Sequence, residues 1–280
     1  MLITSKGKAK NAQELISASV QVLIEALEAG HSEMLTQYLK AMARFHHYSF
    51  GNILLIAAQK RDASNVAGMY AWNQLGRRVK RGEKGIMILA PMVGKKRKTD
   101  AHSENALSDA KTTESDKSNW SPIGFRPVYV WDVSQTEGKE LPELEEVRGD
   151  VRGRLARLVN FVIMQDIKFG YSENIAPAKG VSYGGAIRLL PDMNEAEQFA
   201  TLVHELAHEM IHKSERRTLI TKTVRETEAE AIAFVVCQSI GLETGSASSD
   251  YIQLYHGNAQ LLQESLEVVQ RTAAVILGAV

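Results

Sequence analysis

Cysteine is nearly missing from this chain, with one residue, Cys237, in 280. A single thiol excludes an intrachain disulfide framework and a cysteine-rich zinc module. Its place in the apolar run Phe234-Val235-Val236-Cys237 predicts a buried packing residue. Also missing is any uninterrupted apolar stretch long enough to span a bilayer. The N-terminus lacks the apolar core of a signal peptide, because Glu14 and Glu25 interrupt its later hydrophobic residues. A cytoplasmic protein that meets no membrane is expected. What is present is the composition of a soluble globular protein, 44% hydrophobic and 24% charged. The length suits two ordinary domains or one large one.

Net charge is missing too, but its absence conceals an asymmetry. Residues 1–140 hold 20 Lys+Arg against 14 Asp+Glu, and residues 141–280 hold 13 against 19. Only the first half is therefore suited to a polyanion. The excess is concentrated between Leu75 and Lys98, where Arg77, Arg78, Lys80, Arg81, Lys84, Lys95, Lys96, Arg97 and Lys98 face one acid, Glu83.

Hydrophobic periodicity predicts a helix over about 9–29, with Leu15, Ile16, Val20, Leu23, Ile24 and Leu27 on one face and Gly30 as a stop. A second helix is expected from Ser32 to about His46 and a third from Ser49 or Asn52. Gly85–Pro91 and Pro127–Val133 read as strands able to pair. Between them, residues 94–119 are polar and aperiodic, the pattern of a long flexible excursion. Lys139–Glu146 reads as an inter-domain linker. Beyond it come a helix over about 151–165, short strands near 167–171 and 182–190, and helices over about 194–213, 224–240 and 258–277. The fold class expected is α+β in two domains, residues 1–140 and 146–280.

The run His204-Glu205-Leu206-Ala207-His208 spells HExxH inside the helix over 194–213, whose start Asn194 or Asp192 can cap. Four residues exceed one helical turn slightly, so His204 and His208 project from one face and can share a cation. Two neutral imidazoles and a third ligand suit a catalytic zinc, which keeps its fourth position for water. Glu205 sits ~100° around the helix, within reach of that water as general base and then acid. The third ligand must come from another element. Glu226 and Glu230 share a face of the next helix, and Glu228 points roughly 200° from Glu226. One of the shared-face pair can ligate while the other accepts a hydrogen bond from a ligand histidine. Glu226 is favoured as ligand and Glu230 as the supporting acid, although Thr223-Val224-Arg225-Glu226 also reads as a capping box. Glu228 reads as a solvated first-turn acid. His212 drifts ~80° off the ligand face and is not expected to be the third ligand.

The residues 75–98 combine cations with nearby aromatics, Tyr48 and Tyr70 among them, a combination suited to phosphate tracking and base stacking. Trp72 and Phe50 read as core. The nucleic-acid candidates are thus Tyr48, Tyr70, Arg77, Arg78, Lys80, Arg81 and Lys84.

Two resemblances emerge from these residues. The C-terminal half, with His204-Glu205-Leu206-Ala207-His208 and His212, Glu226-x-x-Ala229-Glu230 and Asp250-Tyr251-Ile252, resembles the zincin-like peptidases of the ImmA/IrrE group and the ArdC-type antirestriction proteins. The resemblance implies that Glu226 is the third zinc ligand of a gluzincin-like metallopeptidase domain. The N-terminal half resembles the ArdC N-terminal domain. It does so through Tyr48-Ser49-x-x-Asn52, Ala71-Trp72-x-x-Leu75-Gly76-Arg77-x-Val79, Gly82–Ile86, Ile88–Pro91 and Val130-x-Asp132-Val133-x-Gln135-Thr136-x-Gly138. That likeness implies single-stranded DNA binding and defence of incoming plasmid or phage DNA against restriction. The rival expectations are an ImmA-like regulatory protease that cuts a repressor, and a DNA-binding protein in which zinc only staples the fold. A protein substrate, either a restriction subunit or a repressor, is expected to lie along an edge strand at Gly184–Leu189, whose Gly-Gly pair would admit a peptide backbone. The linker would act by raising local concentration.

Overall fold

Three amphipathic helices open the chain, α1 (Ser5–Glu28), α2 (Glu33–Arg44) and α3 (Phe50–Gln59). The computed structural model describes residues 5–29, 33–95, 120–140, 151–242 and 258–280. The expected excursion, apart from Gly94 and Lys95, lies outside these residues. So do positions 141–146 of the linker, Asp250-Tyr251-Ile252 and the cations Lys96, Arg97 and Lys98.

The N-terminal sheet runs β1-β4-β3, from β1 (Val66–Ala67), β3 (Ile86–Lys95) and β4 (Trp120–Asp132). β3 and β4 pair antiparallel with Leu89 opposite Pro127. Alternation sends Ile86, Ile88 and Val130 into the core beneath α1 and α3. β3 is an edge, and α3 caps it. Asn52 Nδ2 donates to Leu89 O at 2.9 Å while its Oδ1 accepts from Leu89 N at 2.8 Å. Gln59 does the same for Met87 at 2.8 and 3.0 Å. Two side-chain amides thus stand in for a missing strand and blunt an edge open to unwanted pairing.

Four elements escape hydrophobic periodicity because they are too short to display it: β1, α4 (Met69–Gln74), β2 (Arg77–Val79) and β5 (Thr136–Gly138), the last two paired antiparallel. Polar side chains hold this corner. The buried Asp132 carboxylate accepts from Ser64 N, Asn65 N and Ser134. Gln135 reaches Glu83 Oε2 and Lys84 O. Gly138 has φ +129°, and a Cβ there would come within 2.5 Å of Gly76 O.

The second half contains α5 (Val151–Met164), β6 (Lys168–Tyr171), β7 (Gly180–Ser182), β8 (Ala186–Leu189), α6 (Glu195–Ile211), α7 (Ser214–Leu219), α8 (Lys222–Ser239) and α9 (Ala259–Leu277). Asn194 caps α6 in a reciprocal box with Glu197, an arrangement worth about 1 kcal/mol. Thr221, not Thr223, caps α8, so the box ending at Glu226 does not form and that carboxylate is left for other work. The sheet order is β6-β8-β7. β8 is therefore the central strand and not the edge expected for Gly184–Leu189. The Gly-Gly pair serves a turn instead: Gly184 and Gly185 adopt φ +72° and +102°, and their N–H groups donate to the buried Glu209 carboxylate at 2.7 and 2.8 Å. The free edge beside α6 belongs to β7.

The halves do not hang from a tether alone. α2 packs on α8 and α3 on α9, and the buried apolar residues form one cluster running through both halves. Ser239 Oγ donates to Ala43 O, and Gln270 Nε2 to Tyr48 O.

Candidate metal centre

Helices α6 and α8 pack against each other, each carrying buried alanines (Ala207; Ala229, Ala231 and Ala233) that admit close approach. Their contact brings three ligand atoms together. His204 Nε2 lies 3.2 Å from His208 Nε2, and Glu226 Oε2 lies 3.6 Å from the first and 3.4 Å from the second. Ligands 2.0–2.1 Å from a shared tetrahedral ion stand about 3.3 Å apart, the edge of that tetrahedron. The triangle has the size a small divalent ion requires. His204, His208 and Glu226 are also the one group of His, Cys, Asp and Glu with such an arrangement among the described residues.

The second glutamate on this face, Glu230, sits behind the site, its Oε2 3.4 Å from His204 Nδ1. Burial opposes a charge on His204, but Glu226 and Glu230 outweigh it and push the imidazole up to about 9 without an ion. His204 in turn holds Glu226 far below the usual carboxylate range. Glu205 is nearly buried beside the triangle, packed over β7, where a Cβ on Gly180 would meet its Cγ at 2.9 Å.

One expectation fails here. Glu228 is not solvated: it is wholly buried, accepting from Ser265 Oγ at 2.6 Å and from Arg216. Burial opposes its charge, yet His212, Ser265 and Arg216 hold its carboxyl below the ordinary range. His212 is not among the three grouped ligands, as expected, but it has a part of its own. Helix α6 ends at Ile211 and His212 is its C-cap, one turn beyond His208, to whose carbonyl its N–H still bonds. Its Nδ1 lies 2.8 Å from His208 Nδ1 and its Nε2 lies 2.9 Å from Glu228 Oε2. The pattern His208-x-x-x-His212 was the available signal. A helical wheel referred to His204 obscured it, because His212 neighbours His208, four residues away.

In the first half the candidate residues separate. Tyr48 is half-buried against the core and donates its hydroxyl to Val66 O. Arg77 is spent on Thr136 and Lys139 O, Arg78 pairs with Glu137, and Lys80 donates to Ser134 O. Tyr70, Arg81 and Lys84 are exposed. The sheet face turned away from α1 and α3 presents two aromatics that the sequence pattern passes over. Phe125 is 60% and Tyr129 41% exposed, four residues apart and so on one side of β4, while the exposed Arg126 falls on the other side.

Residues 11–131 match the model of the N-terminal domain of anti-restriction factor ArdC. That stretch of the chain is ArdC-like. Two crystal structures of the antirestriction ArdC protein from plasmid R388 share the chain's fold. The Mn(II)-bound form matches with TM-score 0.53 and 19% identity over 94% of this chain and 97% of that one. The metal-free form matches with TM-score 0.54 and 19% identity over 94% and 96%. An uncharacterized protein of Bacillus anthracis is 23% identical over 96% of this chain, which spans about half (51%) of that relative's length. In the ArdC-like half, the motif residues turn out to be builders of the fold. Asn52 caps β3, Trp72 Nε1 donates to Trp131 O, and Arg77, Asp132, Gln135, Thr136 and Gly138 tie the β2–β5 corner.

Proposed function

We propose that this protein is an antirestriction factor that holds single-stranded DNA on its N-terminal sheet and hydrolyses a protein at a zinc site between α6 and α8. The observation that carries the enzymatic reading is the 3.2–3.6 Å triangle of His204, His208 and Glu226, with the Glu205 carboxylate beside it. Two imidazoles and a carboxylate are the donor set of a catalytic zinc. Glu226 is half-exposed, so the site opens to solvent, which favours a catalytic over a stapling role. When bound, the ion would supply Lewis acidity toward a peptide carbonyl and an attacking water. Glu205 accepts the proton of that water and returns it to the departing amine.

Substrate would lie along β7. Tyr183 N bonds to Ala186 O and Leu190 N to Lys179 O. By the two-residue alternation of an antiparallel ladder, Gly180 and Ser182 then turn their N–H and C=O groups to the open side. An extended peptide can pair there, next to Glu205. For DNA, Phe125 and Tyr129 offer stacking faces, and Arg81 and Lys84 offer charge. The shared core keeps both surfaces in one body.

The test uses the intact chain. Glu205→Gln should keep metal and fold, lose hydrolysis, and retain a bound protein partner in a pull-down run with and without single-stranded DNA. Phe125→Ala with Tyr129→Ala should weaken single-strand binding about 10-fold or more, given roughly 1–3 kcal/mol per stacked base. Unchanged DNA protection by Glu205→Gln would remove the peptidase from the antirestriction role. Unchanged DNA affinity in the aromatic pair would remove the sheet face.

A further inference from the structure

We propose that the buried array His212, Glu228 and Arg216 sets the tautomer of His208, so that His208 Nε2 presents a bare lone pair before any ion arrives. The consequence for metal uptake rests on the metal-site reading above; the tautomer itself does not.

The argument is one of hydrogen-bond polarity. An ionised carboxylate only accepts. Glu228 is wholly buried, and its charge is matched by Arg216 at Oε1, where Ser265 also donates. Its other oxygen, Oε2, lies 2.9 Å from His212 Nε2, which must therefore carry a hydrogen. His212 is itself 3% exposed. A second hydrogen on that ring would place a further charge in a site whose two charges already cancel, so Nδ1 is left as an acceptor. The 2.8 Å separation between the two Nδ1 atoms then needs its one hydrogen from His208. With its hydrogen on Nδ1, His208 has none on Nε2, the atom that faces His204 Nε2 and Glu226.

An unconstrained histidine favours the opposite tautomer, with hydrogen on Nε2, and would have to rearrange before binding an ion. Glu230 beside His204 Nδ1, at 3.4 Å, is a looser and more exposed version of the same device. The two acids two residues apart on α8 thus divide the labour. Glu226 faces the ion position, and Glu228, on the buried side of the helix, works through His212. His212, Glu228 and Arg216 are positioning residues in this scheme and touch neither ion nor substrate.

The experiment is long-range proton–nitrogen correlation on metal-free, nitrogen-15-labelled full-length protein. His208 should show a protonated Nδ1 and a bare Nε2. His212→Phe, which removes the acceptor, should shift His208 to the Nε2–H form. It should also weaken zinc binding, measured by competition with a chromophoric chelator, by roughly 10–100-fold. His212→Gln, whose side-chain carbonyl can accept from His208, should restore most of the affinity. A wild-type His208 protonated at Nε2, or a folded His212→Phe that binds zinc like wild type, overturns the proposal. Should His212→Phe not fold, the wild-type spectrum alone decides. A wild-type protein that takes up no zinc would refute the metallopeptidase reading, while the tautomer measurement would still support or overturn this one.

Discussion

Replacing Glu209 by glutamine changes one oxygen to an amide NH2 and should cost far more than that suggests. The carboxylate is 2% exposed, and its two oxygens separately receive Gly184 N at 2.7 Å and Gly185 N at 2.8 Å. Whichever way a glutamine amide is turned, its NH2 points at one of those N–H donors. One buried donor is orphaned, a loss of about 1–3 kcal/mol, and the surviving bond drops from charge-assisted to neutral, roughly another 1 kcal/mol. A total of about 2–4 kcal/mol corresponds, at ~2 °C per kcal/mol for a chain of this size, to a melting temperature lowered by about 4–8 °C. The assay is urea and thermal unfolding by circular dichroism on metal-free protein, so that ion binding does not contribute. Glu137→Gln is the control, because its pair with Arg78 is exposed on both sides and worth at most about 1 kcal/mol. If Glu209→Gln unfolds within 0.5 kcal/mol of wild type, the buried carboxylate does not hold the turn and the account of this sheet is wrong.

Two further predictions follow the same reasoning. The raised His204 pKa, about 9 against an ordinary 6.5, stabilises the metal-free protein fully below pH ~6.5 and is lost as pH rises through ~9. Metal-free melting temperature should therefore fall over that window, and ion binding below pH ~9 should release a proton, visible as a buffer-dependent heat in titration calorimetry. A flat melting temperature from pH 6.5 to 9.5 would contradict the carboxylate contacts of His204. Gly138→Ala combines a 2.5 Å approach to Gly76 O with φ +129° and should destabilise by about 2 kcal/mol or more in chemical denaturation; a neutral result would mean the β2–β5 corner is looser than its geometry implies.

Elements whose period runs long enough were legible in the sequence, notably α6, α8 and α9 and the pairing of β3 with β4. His204, Glu205 and His208 were legible because helical spacing alone puts them in reach of one another. What stayed hidden depends on partners distant in the chain. Glu228 looks like any first-turn acid until Arg216, His212 and Ser265 are brought to it. β8 looks like an edge until β6 and β7 flank it. Phe125 and Tyr129 lie in a strand whose readable alternation begins only at Pro127, so half of the open aromatic face fell outside the pattern. Arg77, Arg78 and Lys80 read as cations for a polyanion, and the sequence could not show that each also bonds to residues 134–137, next to or on the β5 strand that β2 pairs with.

The most direct test of the central claim is ion stoichiometry by elemental analysis and calorimetry on purified full-length protein. Wild type should bind about one zinc per chain, Glu226→Ala should lose most of its affinity, Glu230→Gln should lose only part, and His204→Ala with His208→Ala should bind none. Full occupancy in that double variant, or in Glu226→Ala, would contradict the site between α6 and α8.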